Sequence, residues 1–159
     1  MNALEEEVAH ILLSQKLTIA VAESCTGGLI ASRLTNISGS SAFFERGAVT
    51  YSNRSKTEML EVPKEEIETY GAVSEQTAKA MAEGIRTRSR TDLGLSVTGI
   101  AGPTGGTPGK PVGTVFIALA SDKGTECQQH LFQGDRAAIR WEVSETALGW
   151  IRDYCQKSA

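Results

Sequence analysis

The chain has 159 residues, enough for one domain with a real core and no need of disulfides or a metal. A formal charge of −3 and only 6% aromatic residues leave no basic, aromatic-studded surface for nucleic acid, and no apolar run is long enough to cross a bilayer. Cys25, Cys127 and Cys155 form no CxxC pair and fit a reducing cytoplasm, while His10 and His130 lack a second ligand-type residue at zinc spacing.

The segment Met1-Asn2-Ala3-Leu4-Glu5-Glu6-Glu7 is acidic where a signal peptide is basic, so export is not expected. Leu4, Val8, Ile11 and Leu12 predict an amphipathic first helix. Thr18 to Ala22 reads as a strand buried on both faces, and Leu29, Ile30, Leu34 and Ile37 fall at helical spacing just beyond it. Between them stands the turn Glu23-Ser24-Cys25-Thr26-Gly27-Gly28. Phe43 to Tyr51 reads as a second strand, after which Ser52 or Asn53 caps a short helix carrying Lys56, Met59 and Leu60 and closed near Pro63. Glu65 to Tyr70 adds a further helical turn before Gly71.

Ser74 offers the next N-cap, with Ala78, Met81, Ala82 and Ile85 on one helical face. A third strand, Asp92 to Val97, runs into a glycine- and proline-rich loop from Thr98 to Pro111, too long for an ordinary connection and of the kind that binds something. Val112 to Ala120 and Thr125 to Phe132 predict a β-hairpin around Ser121-Asp122-Lys123-Gly124. Asp135 caps a long last helix whose Ile139, Val143, Ala147, Trp150 and Tyr154 share a face. Helices before, between and after strands imply a single domain over 1–159, a three-layer α/β/α sandwich with a mixed sheet. Ligands in such folds bind beyond the carboxyl ends of the strands, where the Ser24 turn, the Tyr51 region and the loop after Val97 all lie.

The Ser24 turn suits a nucleophile at a strand-to-helix junction beside free backbone N–H groups. The same residues also suit an N-cap with glycines for close helix–sheet packing, and Cys25 is a rival nucleophile. Both histidines are poorly placed as a base, which turns attention to Lys56. In the first turn of its helix beside Arg54, and partly dry, its pKa should fall toward the roughly 7–8 useful for a general base. A solvated lysine on a surface helix is the other reading. Tyr51 could relay a proton or orient the amine, or only pack across strands.

The glycine loop is no Walker A motif, because Thr104 and Pro111 stand where glycine and Ser/Thr are required and a strand follows. Its backbone N–H groups suit an anion site or a developing oxyanion, and its prolines stiffen it beyond a mere spacer. Arg136 and Arg140 lie one helical turn apart and suit a phosphate clamp, although ordinary surface arginines would look the same.

Taken together, Ala22-Glu23-Ser24-Cys25-Thr26-Gly27-Gly28, Thr50-Tyr51-Ser52-Asn53 to Lys56, Gly71-Ala72-Val73-Ser74, Val97 to Gly106 and Lys110-Pro111-Val112-Gly113-Thr114 resemble the CinA C-terminal domain family. That family includes the stand-alone nicotinamide-nucleotide amidohydrolases, or NMN deamidases. The likeness covers nearly the whole chain, and the additional N-terminal domain of two-domain CinA proteins has no counterpart in it. The resemblance implies hydrolysis of the carboxamide of nicotinamide mononucleotide to nicotinate mononucleotide and ammonia, in pyridine nucleotide salvage, without metal or organic cofactor. It implies Ser24 as nucleophile and Lys56, helped by Tyr51, as base. It implies substrate and phosphate binding by Thr26, Gly27 and Gly28 of the turn, by Thr98, Gly99, Gly102, Thr104, Gly105 and Gly106 of the loop, and by Arg140 with Arg136. The partners expected are that nucleotide and further copies of the chain in a cytoplasmic homo-oligomer, with no nucleic acid and no membrane. Glu23 acquires no role. The alternatives are a catalytically weak nucleotide-binding module tied to competence or DNA damage, and an amidase for another small amide.

Overall fold

A computed structural model describes residues 3–158, so Met1, Asn2 and Ala159, including the first two residues of the acidic N-terminal segment, lie outside it. The chain runs α1 (Leu4–Gln15), β1 (Ile19–Glu23), α2 (Leu29–Thr35), a 3-10 turn (Ser40–Ala42), β2 (Phe44–Val49), α3 (Asn53–Leu60), α4 (Lys64–Tyr70), α5 (Glu75–Ser89), β3 (Leu93–Gly99), β4 (Thr114–Ser121), β5 (Gly124–Leu131) and α6 (Arg136–Lys157). The strands form one sheet in the order β2-β1-β3-β4-β5. β1 is parallel to both β2 and β3, whereas β3–β4 and β4–β5 are antiparallel.

Side-chain alternation along β1 divides the core between two helical layers. Ile19 and Val21 pack with α1, α2 and α6, through residues such as Leu12, Leu34, Val143 and Leu148. Ala20 and Ala22 point the other way, to Leu60 of α3, Ile67 of α4 and Met81 of α5. The three-layer α/β/α sandwich with a mixed sheet is therefore the observed architecture. Small residues on the second face let α5 lie close against the sheet, and Phe116, Ala118 and Ala120 of β4 continue that face beside Ala78 and Ala82.

The expected caps are observed. Ser52 Oγ accepts from Ser55 N at 3.0 Å, Ser74 Oγ from Thr77 N at 3.2 Å and Asp135 Oδ1 from Ala138 N at 2.8 Å. All five strands differ from the sequence reading by one or two residues at their ends: β2 is Phe44–Val49 instead of Phe43 to Tyr51, β3 Leu93–Gly99 instead of Asp92 to Val97, and β5 Gly124–Leu131 instead of Thr125 to Phe132. β1 extends to Glu23, because the polar end of the run is still paired on both sides, with Val49 and Val97. β4 starts at Thr114 instead of Val112, because Thr114 N closes a turn on Pro111 O and Gly113 takes a positive φ of 96°.

Gly84 of α5 faces the carbonyl of Leu60, the last residue of α3, and a Cβ there would drive into that backbone oxygen. Gly84→Ala should therefore separate α5 from α3 at a cost of about 2–4 kcal/mol. Thermal unfolding would register this as a fall in Tm of roughly 5–15 °C; an unchanged Tm would mean that the two helices are not in such close contact.

Candidate active site

Beyond Val21 the alternation of β1 carries into the turn and sends consecutive polar side chains to opposite layers. Ser24 N still donates to Val97 O at 3.1 Å, so the strand geometry holds to that residue. Glu23 follows Ile19 and Val21 toward the α2 layer, where it is 1% exposed and its two carboxylate oxygens accept from Ile30 N and Ala31 N, both at 3.0 Å. The N-cap of α2 is Gly28, which has no side chain to offer, so Glu23 caps the helix from the strand. This supplies the role that local sequence did not reveal. Removing that carboxylate in Glu23→Ala leaves one buried and one half-buried N–H group without partners and should cost about 1–3 kcal/mol. Chemical denaturation should show it as a lowered midpoint with an unchanged m-value, and a wild-type midpoint would exclude the capping role.

Ser24 follows Ala20 and Ala22 to the other layer, where α3 presents Lys56. Lys56 and Leu60 lie one turn apart on the inner face of α3, and both are 1% exposed. Lys56 Nζ lies 3.0 Å from Ser24 Oγ, 2.6 Å from Thr50 O and 3.4 Å from Tyr51 O. A neutral amine has two N–H donors and one lone pair. The two carbonyls can take the donors and leave the lone pair for the Ser24 hydroxyl.

Burial brings the Lys56 pKa down to about 8. The cause is desolvation, the partly dry setting expected from sequence; the neighbouring cation adds nothing, because the Arg54 side chain is 85% exposed and paired with Glu58 at 3.4 Å. Burial pushes the Cys25 thiol the opposite way, to about 12, with nearby Glu23 adding to the rise. The thiol is thus held protonated, whereas the Ser24 hydroxyl has an amine in contact.

Ser24, Cys25, Tyr51 and Lys56 open onto a cleft of about 290 Å³ at the carboxyl ends of the parallel strands. Thr98, Gly99, Gly102, Thr104 and Gly105 of the glycine loop line it, as does Arg136. A larger depression of about 500 Å³ between α3 and α4 contains no nucleophile–base pair. Thr26, Gly27, Gly28, Gly106 and Arg140 do not line the cleft. Thr26 is buried, and Gly27 and Gly28 give the turn its positive φ angles of 60° and 103°. Gly106 packs against the backbone of Val112.

The two arginines do not form a clamp. Arg136 stands at the cleft, donating from Nη1 to Gly102 O at 2.8 Å and from Nη2 to the Tyr51 hydroxyl at 3.1 Å. Arg140 instead donates from Nε to Cys25 O at 3.1 Å and from Nη2 to Thr26 O at 2.8 Å. Tyr51 also differs from its expected part. Its hydroxyl meets Arg136, and only its main-chain carbonyl approaches the amine.

Ala72, Val73, Ile100 and Ala101 add an apolar wall that reasoning from polar chemistry missed. Thr98 Oγ1 donates to Ala72 O at 2.8 Å and Lys110 Nζ to Tyr70 O at 2.8 Å, tying that wall to the loop. Among the described residues no carboxylate lines the cleft, whereas Arg136 does, so it favours a ligand bearing negative charge. Among the described residues no group of three or more His, Cys, Asp or Glu could hold a metal ion, and no helix is long and apolar enough to cross a membrane.

The family model of the CinA C-terminal domain matches residues 1–155. The chain belongs to the CinA C-terminal domain family. A CinA-like protein of Syntrophus aciditrophicus is 59% identical over 154 residues, covering 96% of this chain and 37% of that relative. One from Citrifermentans bemidjiense is 52% identical over 95% of this chain and 36% of its own length. The chain thus spans little more than a third of the curated relatives it matches. Among solved structures, a CinA-superfamily protein from Klebsiella pneumoniae superposes with a TM-score of 0.94 at 33% identity, covering 97% of this chain and 96% of that one. The competence/damage-inducible protein CihA from Agrobacterium tumefaciens gives a TM-score of 0.88 at 43% identity, covering 95% of each chain. The CinA family and its competence/damage-inducible relatives are thereby the setting of this fold.

Proposed function

We propose that this CinA-family domain is a serine amidase that hydrolyses the carboxamide of nicotinamide mononucleotide. The contact between Ser24 Oγ and a buried Lys56 amine at 3.0 Å carries the reading. Ser24 attacks the carboxamide carbon while neutral Lys56 takes the hydroxyl proton. Collapse of the tetrahedral intermediate breaks the C–N bond, and the Lys56 ammonium returns the proton to the departing ammonia. Water then attacks the Ser24 ester with Lys56 again as base, giving nicotinate mononucleotide and the free serine.

Support for the substrate comes from the shape and charge of the cleft and from the family likeness. The wall of Ala72, Val73, Ile100 and Ala101 suits a flat ring, and Arg136 with the glycine loop suits a phosphate. Tyr51 contributes its carbonyl to the amine and its hydroxyl to Arg136. The proposal requires no metal or organic cofactor and places the protein in the cytoplasm as a homo-oligomer, acting in pyridine nucleotide salvage with neither nucleic acid nor membrane as partner. Purified protein treated with a chelator should release ammonia from nicotinamide mononucleotide in amounts matching the nicotinate mononucleotide formed. Calorimetric binding of that nucleotide without ammonia release would replace the enzyme by a nucleotide-binding module.

A further inference from the structure

Arg140 reaches across from α6 to the backbone of the nucleophile turn and leaves the cleft to Arg136. Its Nε and Nη2 donate to two successive carbonyls, those of Cys25 and Thr26. Gly27 passes so close that a Cβ there would lie 3.2 Å from Arg140 Nη2, and Gly27 also takes a φ of 60°. The turn thus combines a side chain without bulk and a guanidinium fitted against it.

Several other backbone groups of the turn are held as well. Ser24 N donates to Val97 O at 3.1 Å, Gly27 N to Ser24 O at 3.0 Å and Leu29 N to Thr26 O at 3.1 Å. All three carbonyls from Ser24 to Thr26 are therefore engaged. Among the described residues, the N–H groups of Cys25, Thr26 and Gly28 donate to no backbone carbonyl, and of the three residues only Cys25 lines the cleft. In a trans peptide the C=O and the following N–H point in opposite directions. Drawing the Cys25 carbonyl toward α6 therefore turns the Thr26 N–H away from α6, and closing the Ser24 carbonyl inward onto Gly27 turns the Cys25 N–H outward.

We propose that Arg140 is a positioning residue: by binding the carbonyls of Cys25 and Thr26 it fixes the turn so that Ser24 Oγ meets Lys56 and the N–H of Cys25, which lines the cleft, remains for the oxygen of the attacked carbonyl. The inference rests on Ser24 being the nucleophile and is independent of the substrate's identity. A donor aimed at developing charge stabilises such an oxygen, and losing it costs about 10²–10³ in rate. The fork of a guanidinium spans two carbonyls, which a single ammonium cannot do.

The test follows modification of Ser24 by a small uncharged fluorophosphonate, read by intact mass, beside ammonia release from nicotinamide mononucleotide. Wild type, Ser24→Ala, Arg140→Ala and Arg140→Lys are compared, with circular dichroism to monitor folding. Arg140→Ala should label about 10–100-fold more slowly than wild type, and kcat should fall with KM within about threefold. Arg140→Lys should recover only part of the loss. Millimolar guanidinium should restore part of the labelling in Arg140→Ala and leave wild type unaffected. Wild-type labelling in Arg140→Ala with a raised KM would overturn the proposal and make Arg140 an anion ligand. Should Arg140→Ala not fold, wild-type labelling in Arg140→Lys overturns it equally. If wild type labels at Ser24 but releases no ammonia, the substrate reading fails while the labelling comparison still decides the role of Arg140. Absence of wild-type labelling at Ser24 overturns both.

Discussion

Lys56→Met is expected to lower carboxamide turnover on the order of 10³-fold or more while leaving the protein folded, with a Tm within about 5 °C of wild type. Methionine nearly matches the volume of the lysine stem, so the inner face of α3 keeps its packing beside Leu60. Two opposing effects govern stability. The substitution removes an amine that is costly to charge in its buried place, and it deprives the Thr50 carbonyl of its 2.6 Å donor. Activity has no such compensation, because a hydroxyl without a base is a weak nucleophile at neutral pH. Ser24→Ala should lose activity to a similar extent. The double variant Ser24→Ala/Lys56→Met should be no worse than either single one, since groups that act as a unit are not additive. Multiplying losses would show that the two side chains act separately, and retained turnover in either single variant would remove it from the mechanism.

The pH dependence provides the second large effect. Lys56 must be uncharged to accept the Ser24 proton, and burial holds its pKa at about 8. Below that value kcat/KM should fall about tenfold per pH unit, so that between pH 8 and pH 6 the loss is roughly 50-fold; above it the profile should level off. Stability should follow the same group with its own sign. The folded pKa is about 8 and the ordinary value is 10.5, so between these limits the unfolded chain binds more protons than the folded one. The Lys56 contribution to stability is therefore greatest above that window and is lost as the pH falls from about 10.5 to about 8. Comparing wild type with Lys56→Met through that range isolates the effect, because the variant lacks the titrating amine. A flat difference between the two proteins would mean that Lys56 titrates normally.

Much of the fold was legible because its signals are local and periodic. The spacing of Leu4, Val8 and Leu12, the apolar run of β1 and the caps Ser52, Ser74 and Asp135 each depend on a few adjacent residues. Ser24 and Lys56 were legible as candidates for the same reason, one at a strand-to-helix turn and the other at the start of a helix.

What could not be read was the direction of long side chains across layers. The partly dry setting of Lys56 was legible, but the part expected of Arg54 is not borne out by the structure: the i,i+4 relation to Leu60 turns Lys56 inward while Arg54 pairs outward with Glu58. Arg136 and Arg140 lie one turn apart, yet Arg136 reaches Gly102 O of the glycine loop while Arg140 reaches Cys25 O and Thr26 O, partners that only the tertiary fold brings near. The strand alternation that puts Glu23 on α2 and Ser24 on α3 was present in Ile19-Ala20-Val21-Ala22-Glu23-Ser24. Larger apolar residues on one face and alanines on the other carried that signal. The apolar wall of Ala72 and Val73 had none, since its place depends on Thr98 and Lys110 from a distant loop.

The ionisation of the Lys56 side chain in the intact protein tests the account most directly. Carbon-13 NMR of the lysine ε-carbons across pH 6 to 11 would follow it, with Lys56→Met identifying the resonance. A midpoint near pH 8 for that resonance is the predicted result. A midpoint at the ordinary value of 10.5 would leave Ser24 without a base at neutral pH and contradict the account.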